Sequence, residues 1–431
     1  MPEFDFTVSS VPNPLTPEVD TTFYWSRRGT TPHFASSVGP LLGDFGMVNN
    51  RNIDFVRIAS AVLAADRSTS RSGRLSRWNQ REISITIDVL AVAPWRGVTD
   101  DLESLLAFLT GDTWHLSFKK GKGAPEQIGS MAIDASRIVL MSGGADSGTG
   151  ALLSALAMKK SGKKHALISH WSSKALPPVQ RAIAADIESM APGVSADHIQ
   201  VNHSRGRHSP SGAAYKKEDS TRSRSMLFIA LGLALASVNE VELWLPENGY
   251  ASINPPLSRS RRGSLSTKTT HPRFLQELIR ILTKVGAHHD LVNPFADMTK
   301  GEMFVLVRDA IGVDQASTFL SKTTSCSHTG SKTFHVSPKI ACGVCFGCVL
   351  RKASFVAAGI PDLTEYLDAK GNKQIQDWLD GKSVIPAMRS FLGSSFGESD
   401  LTTLRIPENL ALADIAELCN RGRAELRGLS L

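Results

Sequence analysis

Cysteine and long apolar runs are both scarce in this sequence, and each scarcity excludes a class of protein. Five cysteines among 431 residues are too few for the disulfide framework of a small secreted domain. The longest apolar run, around Met226 to Ala236, is too short to span a bilayer and predicts a buried helix. The first residues show no basic segment followed by an apolar one, so no secretory signal is predicted. We therefore expect a cytoplasmic protein.

A Gly-rich turn, Ser142-Gly143-Gly144-Ala145-Asp146-Ser147, follows the apolar run 137–141 and precedes a helical pattern. Strand, turn and helix in this order aim backbone N–H groups at an anion, and adjacent glycines let the main chain approach a phosphate. The turn fits neither G-x-x-x-x-G-K-S/T nor G-x-G-x-x-G. Ser142 and Ser147 add hydroxyl groups, and Asp146 could hold Mg²⁺ or position the ligand. The turn predicts a nucleotide pyrophosphate site, with a ligand-free turn as the alternative.

From residue 136 onward, short apolar runs alternate with helical patterns, which indicates a doubly wound parallel sheet. The predicted strands lie at 138–141, 166–168, 199–201, 241–245 and 291–293. Ligands of such sheets bind beyond the carboxyl ends of the strands. The Gly-rich turn, His170 and Glu247 all follow strands in this way.

The region before residue 130 has a different pattern and predicts a small α+β domain. Residues 55–65 are an apolar stretch of strand type, and 66–80 predict a hairpin loop. Residues 83–89 and 114–118 alternate as half-buried strands, and a helix with one leucine-rich face lies between them.

Two basic stretches interrupt the later pattern, at 203–225 and 254–273. Each is either a solvated loop or a source of guanidinium groups that bind phosphate in a bidentate manner. Arg224 and Arg262 are the members that we assign to phosphate. The net charge of +7 suits phosphorylated ligands or a polyanion, although it selects no partner by itself.

Four of the five cysteines are clustered. Cys342, Cys345 and Cys348 form C-x2-C-x2-C, and Cys326 precedes them by sixteen positions. Four thiolates suit one tetrahedral zinc ion, which would be structural because no coordination position remains open. An iron–sulfur cluster is the chemical alternative, and His328 or His335 could replace one thiolate. Cys419 is isolated and is predicted to be part of a core.

With both motifs in view, the chain resembles the 7-cyano-7-deazaguanine synthase family (QueC), within the N-type ATP pyrophosphatases. That family combines an S-G-G-x-D-S loop with a C-terminal four-cysteine zinc site that is closely followed by Arg, here Arg351. Arg224-Ser225 stands where the family has Arg-Asn, and Thr299 to Glu302 matches its Thr-Lys-x-Glu helix start, which is also a capping box. The resemblance covers roughly residues 136–356.

Departures from the family narrow the resemblance. His170-Trp171-Ser172 replaces Tyr-Gly-Gln, and the Tyr-Pro-Asp-Cys segment is absent. Together with the added N-terminal domain of about 130 residues, these departures make the chain resemble the QueC-like proteins of bacterial anti-phage systems, of the QatC type. The residues that stand in the altered substrate segments are Glu247, Asn248, Arg262, Ser266, Thr267 and His271.

The resemblance implies an ATP-dependent carbon–nitrogen ligase that adenylates a 7-carboxy-7-deazaguanine-like carboxylate and transfers it to ammonia or to an amine of a partner protein from the same defence operon. It implies an adenine nucleotide alpha-hydrolase-like fold, with ATP and Mg²⁺ bound and zinc as a structural ion. The expected catalytic residues are Asp146, Ser147, Lys300 and Arg224, and ATP is expected on Ser142, Gly143, Gly144, Asp146, Ser147 and His170. Nucleic acid is possible as a partner but is not favoured, and no membrane is expected.

We expect four regions: an accessory α+β domain at 1–130, an ATP pyrophosphatase domain at 136–320, a zinc-binding segment at 321–356 and a helical region at 357–431. Two alternatives stay open. One is a tRNA-modifying N-type ATP pyrophosphatase, and the other is a nucleotide-sensing scaffold of a defence complex.

Overall fold

The computed structural model describes residues 2–8, 22–25, 34–71, 80–121, 133–171, 174–208, 214–218, 222–255, 268–326, 340–367, 373, 377 and 384–429. The chain forms two compact units. The first comprises Met1–Ile138, Ile199–Leu243 and Thr267–Val292, and the second comprises Val139–His198, Trp244–Ser266 and Asn293–Leu431. The four ranges expected from the sequence stay a prediction.

In chain order the elements are β1 (Glu3–Val8), β2 (Thr22–Trp25), β3 (Phe34–Ser36), α1 (Asn50–Ser68), β4 (Glu82–Val89), α2 (Val92–Arg96), α3 (Thr99–Thr110), β5 (Thr113–Lys120), β6 (Arg137–Leu140), α4 (Ala145–Ser161), β7 (His165–Trp171), α5 (Leu176–Met190), β8 (Ser195–Arg205), α6 (Arg224–Ala236), β9 (Glu242–Trp244), α7 (Gly249–Ile253), α8 (Pro272–Val285), β10 (Leu291–Val292), α9 (Lys300–Ile311), α10 (Val313–Lys322), α11 (Phe346–Ala358), α12 (Val384–Gly393), α13 (Glu398–Leu401) and α14 (Leu412–Arg427).

The first sheet has four strands in the order β2-β1-β4-β5, and every neighbouring pair is parallel. Alternate residues of β4 point inward, so that Ile83, Ile85 and Ile87 are buried as the sequence predicts. The predicted strand at 55–65 is wrong, because those residues belong to α1. The predicted hairpin loop at 66–80 is wrong at its start, because residues 66–68 belong to α1, and residues 72–79 lie outside the described residues.

The burial of α1 explains why its sequence predicts a strand instead of a helix. Nearly all of its residues are buried, and the helix packs against both β4 and α6. A helix that is covered on every side does not show the 3.6-residue period of an amphipathic helix. Its short apolar run therefore cannot be distinguished from a buried strand by periodicity.

The second sheet has six strands in the order β10-β9-β6-β7-β8-β3, with β3 antiparallel to β8. Each strand predicted after residue 136 is present, and helices alternate with them. The core of the second unit contains apolar residues of β6, α4, β7, α5, α9, α10 and α11, such as Val139, Leu152, Leu167, Ile183, Phe304, Phe319 and Phe355. The predicted fold class, α/β with parallel sheets and a helical C-terminal region, is confirmed.

A separate core holds the C-terminal helices together. It contains Tyr250 of α7, Leu350 of α11, Met388 of α12, and Leu418 and Cys419 of α14. Cys419 is thus part of a core, as predicted. None of the described helices combines the length and the apolarity needed to cross a membrane.

Candidate nucleotide and metal sites

The Gly-rich turn lies where β6 ends and α4 begins. Gly143 has φ +93°, a left-handed conformation that glycine adopts without strain, and Gly144 is the N-cap of α4. Among the described residues no side chain caps this first turn. The first backbone N–H groups of a helix have no partner within it, so an anion at this end would satisfy them and the helix dipole together.

The two serines of the turn hold its shape from within. The Oγ atoms of Ser142 and Ser147 are 3.0 Å apart, and the N–H of Ser142 donates to Ser147 Oγ at 3.1 Å. Ser147 Oγ also donates to the carbonyl oxygen of Gly144 at 3.1 Å. The serines therefore fold the main chain into a closed turn, with hydroxyl groups that can exchange these bonds for a phosphate.

Asp146 is the centre of a small buried charge cluster. Its Oδ2 atom accepts a hydrogen bond from Lys300 Nζ at 2.7 Å, and its Oδ1 atom accepts one from Asn248 Nδ2 at 3.3 Å. Lys300 is the first residue of α9, and Asn248 is the N-cap of α7. Two segments, at the starts of α9 and α7, thus bring polar groups to one carboxylate beside the Gly-rich turn.

A second carboxyl group adjoins this cluster. Asn248 Nδ2 also lies 3.4 Å from Glu247 Oε1. Burial raises the pKa of Glu247 well above 4.5, the negative charge of Asp146 raises it further, and Lys300 opposes both effects. Among the residues that the structure describes, two carboxyl groups face one ammonium group here, so the cluster has capacity for a further cation.

Gln180 of α5 links the turn to the neighbouring strand. Its Nε2 atom donates to the carbonyl oxygens of Ser142 and of His170, both at 3.2 Å. His170 is buried near the end of β7. The structure thus brings the backbone of His170 to the edge of the turn, as the carboxyl ends of neighbouring strands require.

The four-cysteine cluster is also assembled. The Sγ atoms of Cys326, Cys342, Cys345 and Cys348 all lie within 4.8 Å of one another, and those of Cys342 and Cys348 are 3.8 Å apart. Four sulfurs at ~2.3 Å from one tetrahedral ion would be separated by ~3.8 Å. The donor set therefore fits a single metal ion such as zinc. A cluster of several iron atoms would hold the sulfurs farther apart.

The cysteine cluster and the Gly-rich turn share a connecting segment. The N–H of Thr324 donates to the carbonyl oxygen of Gly143 at 2.9 Å. The preceding residue, Thr323, accepts a hydrogen bond from Arg351 NH1 at 2.7 Å. Arg351, which follows the cysteines on α11, is buried and holds the chain just before Cys326. A metal at the cysteines would therefore also fix one side of the turn.

Other residues predicted from the sequence are not brought to this cluster by the contacts described. Arg224 is the first residue of α6 and its guanidinium group lies 5.4 Å from the centre of the Phe228 ring. His271 is the N-cap of α8, where its Nδ1 atom accepts from the N–H of Arg273 at 3.2 Å. Both belong to the first unit. Their assignments to phosphate and substrate stay predictions.

Five residues that the sequence predicts as site residues lie outside the described residues: Arg262, Ser266, Thr267, His328 and His335. Other contributors were missed. Gln180, Thr324 and Glu425 touch the turn or the start of α9. No sequence motif identifies these residues, because their contacts depend on long-range packing.

Comparison with known proteins supports the resemblance, although no protein-family model matches the chain. The chain is 38% identical over 94 residues to a 7-cyano-7-deazaguanine synthase of Cupriavidus taiwanensis, which is 21% of this chain and 36% of that protein. It is 26% identical over 259 residues to the synthase of Myxococcus xanthus, which is 54% of this chain and 97% of that protein.

A third relative, the 7-cyano-7-deazaguanine synthase of Desulfatibacillum aliphaticivorans, is 30% identical over 153 residues, which is 33% of this chain and 55% of that protein. The alignment thus spans only about a third of the Cupriavidus relative but nearly all of the Myxococcus one. The predicted resemblance is confirmed, and the anti-phage type stays a prediction.

Proposed function

We propose that this chain, which is similar to the 7-cyano-7-deazaguanine synthases, is an ATP-dependent, AMP-forming carbon–nitrogen ligase. The proposal rests on the Gly-rich turn before α4, where no described side chain caps the helix, and on the contact of Lys300 with Asp146 beside it. A turn that only connected a strand to a helix would not need a buried carboxylate and ammonium group at its first helical residues.

The proposed substrate is a carboxylate of the 7-carboxy-7-deazaguanine type. An oxygen of this carboxylate attacks the α-phosphorus of ATP, and pyrophosphate leaves. The nitrogen of an amine then attacks the acyl carbon, AMP leaves, and the amine loses a proton as the amide forms. A carboxylate alone reacts poorly because hydroxide is a poor leaving group, whereas AMP is a good one.

The chain's own residues supply binding and charge. The backbone N–H groups of Gly143 to Ser147 and the hydroxyl groups of Ser142 and Ser147 bind phosphate oxygens. Lys300 neutralises the negative charge that develops on those oxygens. Arg224 and Arg262 join it in this role in our proposal.

Asp146 is the residue that would hold Mg²⁺, because carboxylate oxygens are the donors that this ion prefers. When bound, Mg²⁺ supplies positive charge to the phosphate oxygens. The fit of Asp146 to the ion rests on its place beside the Gly-rich turn and on the neighbouring carboxyl group of Glu247.

Substrate recognition is assigned to the loop after β9 and to the segment beyond α7. Glu247 would bind ring N–H groups of the deazaguanine, and Asn248, Ser266, Thr267 and His271 would complete the site. His170 would contact the nucleotide. The four cysteines would hold a structural zinc ion that supports the turn through Thr324 and Gly143.

We further propose that the chain acts in a bacterial anti-phage system, in which the amine belongs to a partner protein. The altered substrate segments and the added N-terminal unit support this idea. Ammonia is the other candidate amine.

The test is incubation with ATP, 7-carboxy-7-deazaguanine and either ammonia or candidate partner proteins, followed by chromatography of nucleotides and intact-mass measurement of the proteins. We expect AMP and pyrophosphate in equal amounts, with an amide product or a partner of increased mass. Unchanged masses of all partners would remove the protein-modifying version. ATP binding without AMP would favour a nucleotide sensor, and salt-sensitive retention of tRNA would favour tRNA modification.

A further inference from the structure

The C-terminal helix α14 reaches the two elements that bear the polar groups around Asp146. One is α9, whose first residue is Lys300, and the other is α7, whose N-cap is Asn248. All of these elements belong to the second unit. The question is whether α14 merely covers them or holds their first turns in place.

A carboxylate of α14 occupies the N-terminus of α9. Glu425 Oε2 accepts a hydrogen bond from the N–H of Gly301 at 3.1 Å, and Glu425 Oε1 accepts one from the Thr299 hydroxyl group. Thr299 Oγ1 in turn accepts the N–H of Glu302 at 3.2 Å within the capping box. Glu425 therefore binds the residues on both sides of Lys300, and its negative charge is favourable at a helix N-terminus.

Arg421, one helical turn before Glu425, binds the other side of the same structure. Its Nε atom donates to Glu302 Oε1 at 2.8 Å, and its NH2 group donates to the carbonyl oxygen of Asp297 at 2.6 Å. The chain that leads into α9 and the first turn of α9 are thus both bound by side chains of α14. This arrangement leaves the backbone of Lys300 little freedom to rotate.

Two glycines make the close approach of α14 feasible. A Cβ atom added at Gly301 would lie 2.4 Å from Glu425 Oε1, and one added at Gly422 would lie 2.5 Å from the Tyr250 ring. Tyr250 is fully buried and is the second residue of α7. Glycine therefore stands at both of these close contacts, one between α14 and α9 and one between α14 and α7.

We propose that Glu425 is a positioning residue of the nucleotide site and that α14 is an integral part of that site. By holding Thr299 and Gly301, Glu425 fixes the direction in which Lys300 leaves α9 and so keeps its ammonium group on Asp146. This inference rests on the proposed function for its meaning in catalysis. The placement of Lys300, however, can be tested without any activity.

The first measurement is the rate at which a water-soluble acylating reagent modifies Lys300 in the full-length protein, followed by peptide mass spectrometry. In the native chain the side chain of Lys300 is only 6% exposed and is paired with Asp146, so we expect slow modification. Glu425→Ala removes two bonds at a helix N-terminus and is expected to raise the rate roughly five-fold, the factor typical of one lost cap. Glu425→Gln keeps the volume and one acceptor and should give an intermediate rate.

Asp414→Asn is the matched control, because Asp414 is an exposed carboxylate on the same helix. It should leave the modification rate of Lys300 unchanged. An unchanged rate in both Glu425 variants would overturn the proposal. If Glu425→Ala does not fold, Glu425→Gln decides the matter alone.

The second measurement is AMP formation by the same variants at equal concentrations of folded protein. We expect Glu425→Ala to lower kcat roughly ten-fold with a smaller change in KM for ATP, because Lys300 acts on charge that develops in the transition state. A native chain that forms no AMP would contradict the proposed function, whereas the modification rates would still decide whether Glu425 positions Lys300. Equal losses of kcat in the Asp414 and Glu425 variants would mean that α14 only stabilises the fold and does not position Lys300.

Discussion

The two units of the molecule each contain a buried charge cluster, and the clusters differ in the ratio of carboxyl groups to cationic groups. In the first unit, Asp66 and Asp112 face the guanidinium groups of Arg71 and Arg81, and Asp112 binds Arg71 through two parallel bonds of 2.7 Å. In the described part of the second unit, Asp146 and Glu247 share one ammonium group, that of Lys300.

The carboxylates of the first cluster are paired within the chain. Asp66 Oδ2 accepts from the N–H and the hydroxyl group of Ser223, at 3.2 and 2.7 Å. Burial alone would raise the pKa of Asp112, but the hydrogen bonds and charges of Arg81 and Arg71 lower it below its ordinary value. Such a cluster stabilises a fold and needs no ligand. The second cluster has excess carboxyl groups beside an uncapped helix, which is the arrangement expected of a site that receives a cation and a phosphate.

The four cysteines form a third cluster, in which four thiol groups lie together. Hydrogen bonding with Cys326 raises the pKa of Cys342, while that of Cys326 itself is lowered to about 7 by its bond with Cys342. The pKa of Cys348 is raised in the same way, so a metal ion is needed to deprotonate these thiols.

The largest expected effect is therefore the loss of this metal. Purified protein should contain one zinc per chain by atomic emission, and Cys348→Ser should contain none and should unfold at a lower temperature. Structural zinc contributes about 10–16 kcal/mol of apparent binding free energy in small domains. Cys419→Ser is the control, because Cys419 lies in a different core, and it should retain zinc. A full zinc content in Cys348→Ser would refute the tetrahedral site.

The balanced cluster should respond next most strongly. Asp112→Asn leaves buried guanidinium groups without their partner and should lower the free energy of unfolding by about 3–5 kcal/mol in urea. Because the folded pKa of Asp112 lies below 3.8, this contribution is present above about pH 4 and is lost as the pH falls further.

Asp101→Asn provides the comparison within the same unit. Asp101 binds Arg280 and Lys284 near the surface, where ion pairs contribute about 0–1 kcal/mol. Similar losses in the two variants would show that the buried cluster is no more important than a surface pair.

The unbalanced cluster should give a smaller effect of opposite sign. The pKa of Glu247 is raised in the folded chain, so the folded state holds this proton more tightly than the unfolded state. Stability therefore falls as the pH rises above about 4.5, and Glu247→Gln should abolish that loss. We expect the variant to gain on the order of 1 kcal/mol over the native chain between about pH 5 and pH 8.

Glu417→Gln, at an exposed position of α14, should show no such trend in thermal unfolding measured across the same pH range. A constant difference between Glu247→Gln and the native chain would mean that Glu247 is ionised throughout. The cluster would then hold a second cation rather than a proton.

Features that depend on local patterns could be predicted from the sequence, whereas features that depend on long-range packing could not. The Gly-rich turn, the cysteine spacing and the capping box at Thr299 are local patterns, and the structure forms each of them where the sequence places it. The alternation of β4 and β5 also predicts strands, but it does not reveal that they are parallel neighbours. The partner of a strand is determined by long-range packing.

Contacts between segments that are distant in the chain could not be predicted from the sequence. Gln180 lies 38 residues from Ser142, and Glu425 lies 124 residues from Gly301, so nothing near the motifs announces them. Helix α1 was mistaken for a strand because burial on all sides removes its period. Arg71 lies in the range 66–80 that the sequence predicts as a hairpin loop, whereas it pairs with the buried carboxylate of Asp112.

The most direct test of the account is the rate of AMP formation from ATP by Asp146→Asn, measured with 7-carboxy-7-deazaguanine and ammonia. Asp186→Asn is the control, because Asp186 forms an exposed pair with Lys322 on the same unit. We predict a loss of roughly a hundred-fold in Asp146→Asn, the scale of a removed electrostatic group, and no loss in the control. An Asp146→Asn variant that forms AMP at the native rate would contradict the claim that the Gly-rich turn and its carboxylate activate ATP.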